Sequence, residues 1–165
     1  MKCSYNAYIL KIQGMNAMTS EETKQSLKLF VVLSRANKVI NETTNQFFQD
    51  NGLNPTEFAV LELLFHKGMQ PLQKIGNKIL LASGSITYVV DKLEKRGYLA
   101  RVSCPTDRRV TYAQITSEGQ AFMEKLFPEH EENLNDLMSA LSAEEKDVAI
   151  SLLKKLGLSI KDLSY

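Results

Sequence analysis

Residues 71–116 carry the pattern that most restricts the fold of this chain. Two short runs place apolar residues four positions apart, Ile75 with Ile79 and Ile86 with Val90, which is the spacing of one helix face. The tetrapeptide ASGS between them favours a tight turn, so the runs predict a helix-turn-helix. Two β-rich runs follow, YLARVSC and RVTYAQIT, around a Pro-Thr-Asp-Arg turn. A helix-turn-helix followed by a hairpin predicts a winged helix.

Longer helices are predicted on both sides of this segment. Apolar residues recur at helical spacing over residues 21–50, and Asn54, Pro55 and Glu57 have the types and order of a helix N-terminus. After the hairpin, we predict a helix that Pro128 kinks or interrupts, and then a last helix. Further capping boxes are predicted at Thr19 with Glu22, Ser117 with Gln120, and Ser142 with Glu145. The expected fold class is mainly α, an α+β winged helix.

Four segments are expected along the 165 residues. They are a flexible N-terminal extension (1–20), a long N-terminal helix (21–50), the winged helix-turn-helix lobe (51–116) and the C-terminal helices (117–165). The translation start is open between Met1, Met15 and Met18. No apolar run reaches the roughly 18 residues of a membrane span, so we expect a cytoplasmic protein without membrane contact.

Charge is distributed unevenly along the chain. The net charge is +1, yet residues 71–116 contain eight basic and three acidic residues, so the rest of the chain is acidic overall. A basic middle between acidic flanks indicates a surface for a polyanion such as nucleic acid. The alternative is a charged face that is only solvated, and charge alone does not decide between the two.

Two adjacent arginines occupy the predicted tip of the hairpin. A wing beside a helix in the major groove reaches the DNA backbone and the adjacent minor groove, which is narrow and electronegative and favours an inserted arginine. Arg108 and Arg109 suit that position, and Asp107 can pair with one of them and orient its guanidinium. The alternative is a solvated turn with a surface ion pair worth about 0 to 1 kcal/mol.

The residues of this hairpin also resemble a known family. DRRVTYAQIT is similar to the D-x-R-x-x-x-x-x-L-T wing signature of the MarR family of bacterial winged-helix regulators: Asp107, Arg109 and Thr116 match, and Ile115 replaces Leu. SGSITYVVDKLEKRGYLAR resembles the recognition helix of that family, and helix order extends the likeness over about residues 21–158. The sequence from Gly52 to Lys95 is most similar to a branch associated with quinone or catechol stress.

The resemblance implies an architecture and a function. The long N- and C-terminal helices would form a dimerisation region, and the homodimer would place two winged-helix lobes on an inverted-repeat operator in double-stranded DNA. Repression would be relieved by a small aromatic or electrophilic, quinone-like effector. The first long helix lacks the cysteine that marks peroxide-sensing relatives, which argues against that chemistry.

Candidate DNA contacts follow from the predicted recognition helix. Ile86, Val90 and Leu93 should face the core, which leaves polar residues for the groove. Tyr88 stands where many relatives carry a polar residue or arginine, so base preference cannot be transferred. The candidate groove residues are Ser83, Ser85, Thr87, Tyr88 and Lys92, and the candidate phosphate contacts are Lys74, Lys78, Lys95 and Arg101. For each lysine a solvated charge is an equal alternative.

Other candidates concern the effector. Phe30, Phe58, Phe65 and Phe122 could line an apolar effector pocket between the dimer helices and the lobe, although core packing is the commoner role of phenylalanine. Cys104, beside the wing arginines, could react with an electrophile; an inert thiol is the alternative.

No residue pattern indicates catalysis. Cys3 and Cys104 belong to no metal-binding or redox motif, and His66 and His130 have no nucleophile or carboxylate partner in the sequence pattern. We therefore expect no enzyme activity, no metal and no cofactor. A winged helix used for protein contact remains the alternative to DNA binding.

Overall fold

The computed structural model describes residues 20–79, 86–107 and 109–162, apart from the side chains of residues 77, 78, 161 and 162. The described chain is mainly helical, as the sequence predicts. Its elements are α1 (Glu21–Asp50), α2 (Pro55–Lys67), β1 (Gln70–Pro71), α3 (Leu72–Lys78), α4 (Ile86–Lys95), β2 (Leu99–Ser103), β3 (Thr111–Ile115), α5 (Ser117–Leu137) and α6 (Ala143–Asp162). The described residues divide into two compact units, with the boundary inside α1 between Thr43 and Thr44.

The described part of the first unit is helical. Ser20 precedes α1, and its Oγ accepts the N–H of Thr23 at 3.2 Å. Glu21 and Glu22 follow in the first turn, where negative charge is favourable near the positive end of the helix dipole. The predicted capping residue Thr19 lies outside the described residues.

The second unit begins at the end of α1 and continues into α2. Asn54 Oδ1 accepts the Glu57 N–H, and Glu57 Oε2 accepts the Asn54 N–H, both at 2.9 Å. Pro55 occupies the first turn, and Gly68 ends the helix with a φ of 66°. The predicted capping box is confirmed, and it fixes where α2 starts.

The helix-turn-helix is built from α3 and α4, which contact each other and α2. Ile75, Ile79, Val90 and Leu93 are buried as predicted, and Val89 is buried in addition. Each fully buried aliphatic side chain of this kind contributes about 1.5–3 kcal/mol through the hydrophobic effect. The predicted ASGS turn between the two helices lies outside the described residues.

The wing is an antiparallel hairpin in which Arg101 of β2 pairs with Ala113 of β3. A third strand, β1, pairs with the other edge of β3, so the sheet order is β1-β3-β2. This strand was not predicted because two residues are too few to show an alternating pattern. Pro71, expected to open α3, is the last residue of β1 and immediately precedes the helix.

The start of α5 differs from the prediction by one residue. Thr116, not Ser117, caps the helix: Thr116 Oγ1 accepts the Gly119 N–H at 3.1 Å and donates to the Gly97 carbonyl at 2.5 Å. The bond to Gly97 O favours Thr116 over Ser117 as the capping residue, because it also joins the end of the wing to the turn after α4.

The sequence predicts that Pro128 either kinks or interrupts the helix after the hairpin. In the structure, Pro128 does not interrupt α5. The helix runs from Ser117 to Leu137 with Pro128 inside it. Pro128 itself is exposed, whereas Leu126 and His130 on either side are buried, and their packing holds the helix across the lost hydrogen bond. The predicted capping box of Ser142 with Glu145 is confirmed at the start of α6.

Gly119 is a position where a larger residue should disrupt the fold. A Cβ there would lie 2.0 Å from the Tyr98 carbonyl oxygen. We expect Gly119→Ala to lower the free energy of unfolding by more than about 2 kcal/mol, measured by urea denaturation. The control is Gly157→Ala in α6, where a Cβ meets nothing within 4 Å; it should be neutral or stabilise by about 0.5–1 kcal/mol. Equal stability of the two variants would contradict this close contact.

Candidate nucleic-acid interface

One face of α4 is open to solvent and the opposite face is buried. Thr87, Tyr88 and Lys95 are exposed, and 67% of Tyr88 is accessible. Because Val90 and Leu93 anchor the buried face, this exposed face is the part of α4 that can enter a groove. The candidates Ser83 and Ser85 lie outside the described residues, and the groove contacts themselves remain predictions.

The wing tip holds an exposed arginine in a fixed orientation. Asp107 accepts the Arg109 backbone N–H at 3.0 Å, and its two carboxylate oxygens accept Nε–H and Nη2–H of the same residue at 3.1 Å each. These bonds lower the pKa of Asp107, so its carboxylate stays charged. The Arg109 side chain is still 90% exposed. The predicted pairing is therefore confirmed, while Arg108 lies outside the described residues.

Arg101 is turned toward α4. One end of its guanidinium pairs with Glu94 and the other with Asp91, and its backbone N–H donates to Glu94 Oε1 at 3.1 Å. We call these three residues the wing-base cluster. Burial lowers the pKa of Arg101, but hydrogen bonds and charges from the two carboxylates outweigh it and raise the pKa overall. The sequence predicts a phosphate contact for Arg101 and does not reveal these partners, although Asp91 and Glu94 are spaced to share a helix face.

Lys92 also has a partner within the chain. Its Nζ lies 2.6 Å from Oε1 of Glu57, a carboxylate of α2 that is only 1% exposed. The Lys92 side chain itself remains partly exposed, and its contact with the groove stays a prediction. Among the predicted phosphate contacts, Lys74 and Lys95 are exposed, and the side chain of Lys78 lies outside the described residues.

Cys104 follows β2 and is partly exposed. Its Sγ lies 3.3 Å from Thr106 Oγ1. Hydrogen bonds from the Thr106 hydroxyl, and then from the backbone of Thr106 and Asp107, lower the pKa of the thiol. A thiolate is the reactive form of cysteine, so this position favours reaction with electrophiles.

The candidate effector residues are mostly packed in the second unit. Phe58 is buried and stacks on Phe48 at 4.5 Å between ring centroids. Phe122 stacks on Tyr98 at 4.7 Å, and Phe65 packs partly buried against the core. Phe30, in the first unit, is 57% exposed. Core packing thus accounts for three of the four, and their effector role remains a prediction.

His130 is a buried polar residue whose position the sequence did not reveal. It is 7% exposed and its ring lies 4.6 Å from Phe58 and 5.4 Å from Phe48, between centroids. Nδ1 of His130 and Oδ1 of Asn133 are buried without a hydrogen-bond partner among the described residues. Burial lowers the pKa of His130 and the charge of Glu131 opposes the shift, so the environment favours the neutral ring.

The described residues show neither a metal site nor a membrane span. They contain no group of three or more His, Cys, Asp or Glu residues arranged to hold a metal ion. None of the described helices is both long and apolar enough to cross a membrane.

Comparison with known proteins identifies the family. The sequence profile of the MarR family matches residues 53–111, which run from just before α2 into β3. The chain is 58% identical over 139 residues to the HTH-type transcriptional regulator MhqR of Bacillus subtilis, covering 84% of this chain and 96% of that protein. This chain belongs to the MarR family. It is therefore a winged-helix transcriptional regulator of a DNA-binding family, whose members are not enzymes.

Solved structures of MarR-family regulators share the fold. BpsR of Bordetella bronchiseptica, described with a mechanism by which 6-hydroxynicotinic acid regulates its DNA binding, is 25% identical with a TM-score of 0.69, over 79% of this chain and 98% of BpsR. A mutant of Escherichia coli MarR in complex with operator DNA has a TM-score of 0.70 at 20% identity, over 83% of this chain and 99% of that one. The second likeness establishes the fold alone.

The environment of Cys104 predicts its reactivity. In a Cys3→Ser background, the rate of iodoacetamide labelling of Cys104 should rise with pH at a midpoint below the ordinary thiol value, because neighbouring hydrogen bonds stabilise the thiolate. Thr106→Val removes the hydroxyl donor at similar volume and should move the midpoint to higher pH. Identical midpoints with and without the Thr106→Val substitution would show that the hydroxyl does not stabilise the thiolate.

Proposed function

We propose that this MarR-family protein is a homodimeric repressor that binds an inverted-repeat operator and is released by a small aromatic or quinone-like effector. The observation that carries the proposal is the exposed Arg109 guanidinium, held by Asp107 at the wing tip. The exposed face of α4, with Thr87 and Tyr88, belongs to the same lobe. Oriented arginine and an open helix face match the minor-groove and major-groove parts of a winged-helix contact.

Dimerisation is supported by the apolar surface of α6. Long apolar side chains are exposed along this helix, which is unusual for a monomer because such patches are normally covered. A second copy of the chain is the occupant that the family resemblance implies. Sedimentation of the purified protein at micromolar concentration tests it, and a monomer would contradict it. The exposed residues are Val148, Ile150, Leu152, Leu153, Leu156, Leu158 and Ile160.

The dimer determines the spacing of the operator. Recognition helices that enter successive major grooves on one side of DNA lie about 34 Å apart, so half-sites should be about one helical turn apart. The wings then lie over the flanking minor grooves. We therefore expect Arg109, or Arg108 in its place, to enter the minor groove at each end of the operator.

Effector release requires a difference in affinity between two conformations. An effector lowers DNA affinity only if it binds better to a form that fits the operator poorly, and such coupling typically amounts to about 1–3 kcal/mol. Within the second unit, Phe58, Phe65 and Phe122 are the candidates for contact with an aromatic effector, and binding there would require the core packing around them to open. The regulation of BpsR by an aromatic acid supports the same class of effector here.

A thiol mechanism is the second candidate for release. The lowered pKa of Cys104 favours attack on an electrophile such as a quinone, and the adduct would sit beside the wing tip. This route needs no pocket. It is supported by the position of Cys104 directly after β2, where its backbone N–H donates to Val110 O at 3.0 Å within the hairpin that carries the wing tip.

The wing contact can be tested by salt titration. Arg109→Ala should weaken DNA binding several-fold. It should also make the slope of log affinity against log salt concentration shallower by about one unit, because one fewer counterion is released. Thr87→Ala should instead shift base preference with little change in slope. Arg108→Ala belongs in the same series, and Lys67→Ala, at the exposed last residue of α2, is the control for loss of a positive charge outside the candidate DNA contacts. If neither wing variant loses affinity while fold and dimer remain intact, the wing does not touch DNA.

A Cys104→Ser substitution distinguishes the two mechanisms of release. With Cys104→Ser, a catechol-like effector that uses a pocket should still release DNA, whereas a quinone that acts only by forming an adduct should not. Affinity of the effector for the free and the DNA-bound protein is measured in parallel by calorimetry. Equal affinity for both forms rules out pocket-mediated release, because linkage then gives no effect on DNA binding.

A further inference from the structure

The wing-base cluster has a more specific geometry than an ordinary surface ion pair. The two ends of the Arg101 guanidinium meet different carboxylates, and the same residue donates its backbone N–H to Glu94. The Arg101 side chain is only 26% exposed. A planar guanidinium that bridges two carboxylates fixes direction as well as distance, which a lysine ammonium cannot do.

The cluster joins the two elements that the proposed function assigns to DNA. Asp91 and Glu94 lie on α4, which also carries the exposed Thr87. Arg101 is the middle residue of β2 and pairs with Ala113 of β3, so it belongs to the base of the hairpin that carries the wing tip. The covalent connection between α4 and β2 is short. It includes Gly97, whose φ of 77° is a backbone conformation that glycine adopts without steric strain. The hydrogen bond from Tyr98 N–H to Leu93 O at 3.0 Å fixes the start of β2, and the wing-base cluster adds side-chain contacts farther along the strand.

The charge of the cluster argues against a direct role on DNA. Two carboxylates surround one guanidinium, so the cluster carries net negative charge, and both acids are partly exposed. A phosphate brought to Arg101 would also approach Asp91 and Glu94 and be repelled. A guanidinium already neutralised by two carboxylates adds little to counterion release.

We propose that Arg101 is a positioning residue that sets the wing relative to α4 through Asp91 and Glu94, and that it does not contact a phosphate. The inference rests on the proposed function in one respect, namely that Arg109 touches DNA. Loss of Arg101 then acts on DNA binding through the placement of Arg109, so the two residues form one functional unit.

A double-mutant cycle on operator DNA tests this unit. Arg109→Ala is measured in four backgrounds: wild type, Arg101→Ala, Arg101→Lys, and Asp91→Asn combined with Glu94→Gln. We expect both Arg101 backgrounds to weaken binding by about three- to thirtyfold, and Arg109→Ala to cost less than about twofold in every background in which the cluster is broken. Arg101→Lys should behave like Arg101→Ala, because lysine keeps the charge but cannot bridge the two acids.

Independent phosphate contacts give a different result. If Arg109→Ala weakens binding by the same factor in every background, the effects multiply and the proposal is wrong. Wild-type affinity for Arg101→Lys would also overturn it, since a charge alone would then suffice. Circular dichroism and sedimentation confirm that each variant is folded and has the same assembly state as the wild type.

Hydrogen exchange without DNA separates this inference from the proposed function. The backbone amides of residues 111–115 in β3 should exchange about three- to thirtyfold faster in Arg101→Ala and in the double carboxylate variant than in the wild type. Unchanged exchange in both overturns the link. If Arg109→Ala has no effect on DNA binding even in the wild type, the proposed wing contact fails, and the exchange result alone decides whether the cluster holds the wing.

Discussion

The buried carboxylate of Glu57 is the interaction on which the winged lobe depends. It closes the capping box that starts α2, and it also receives the ammonium of Lys92, while Nη1 of Arg96 lies 3.9 Å from its Oε2. A buried charge is tolerated only when it is paired, and removing one partner of such a pair typically costs about 3–5 kcal/mol. The same atoms therefore fix the start of α2 and the position of α4 against it.

The cations of the basic segment fall into two groups by their surroundings. Lys92 and Arg101 neutralise acids of the same lobe and hold α4 between α2 and the wing. Arg109 is also paired, but its single partner orients it while its side chain stays exposed. Fewer positive charges are therefore available to a polyanion than the number of basic residues in the segment suggests. A few oriented groups, and not bulk positive charge, are the features of this surface that suit a defined DNA site.

Local signals account for what the sequence predicted correctly. The capping box at Asn54 and the pair of Asp107 with Arg109 join residues two or three positions apart, so their geometry follows from short-range rules. The choice of Thr116 over Ser117 as a cap could not be made this way, because neighbouring hydroxyl residues compete and a distant carbonyl, Gly97 O, decides. The partners of Arg101 and the burial of His130 depend on the angles between elements. Periodicity and spacing contain no information on those angles.

The exposed positions on α4 have a consequence for how such regulators diverge. Thr87 and Tyr88 point away from the hydrophobic core that anchors the helix through Val90 and Leu93. Surface substitutions of this kind usually change stability by less than about 0.5 kcal/mol. Evolution can therefore replace these exposed residues, which we propose to face the groove, while the scaffold stays the same. A duplicated copy of the gene could acquire a new operator through a few such replacements, without first having to repair a damaged fold.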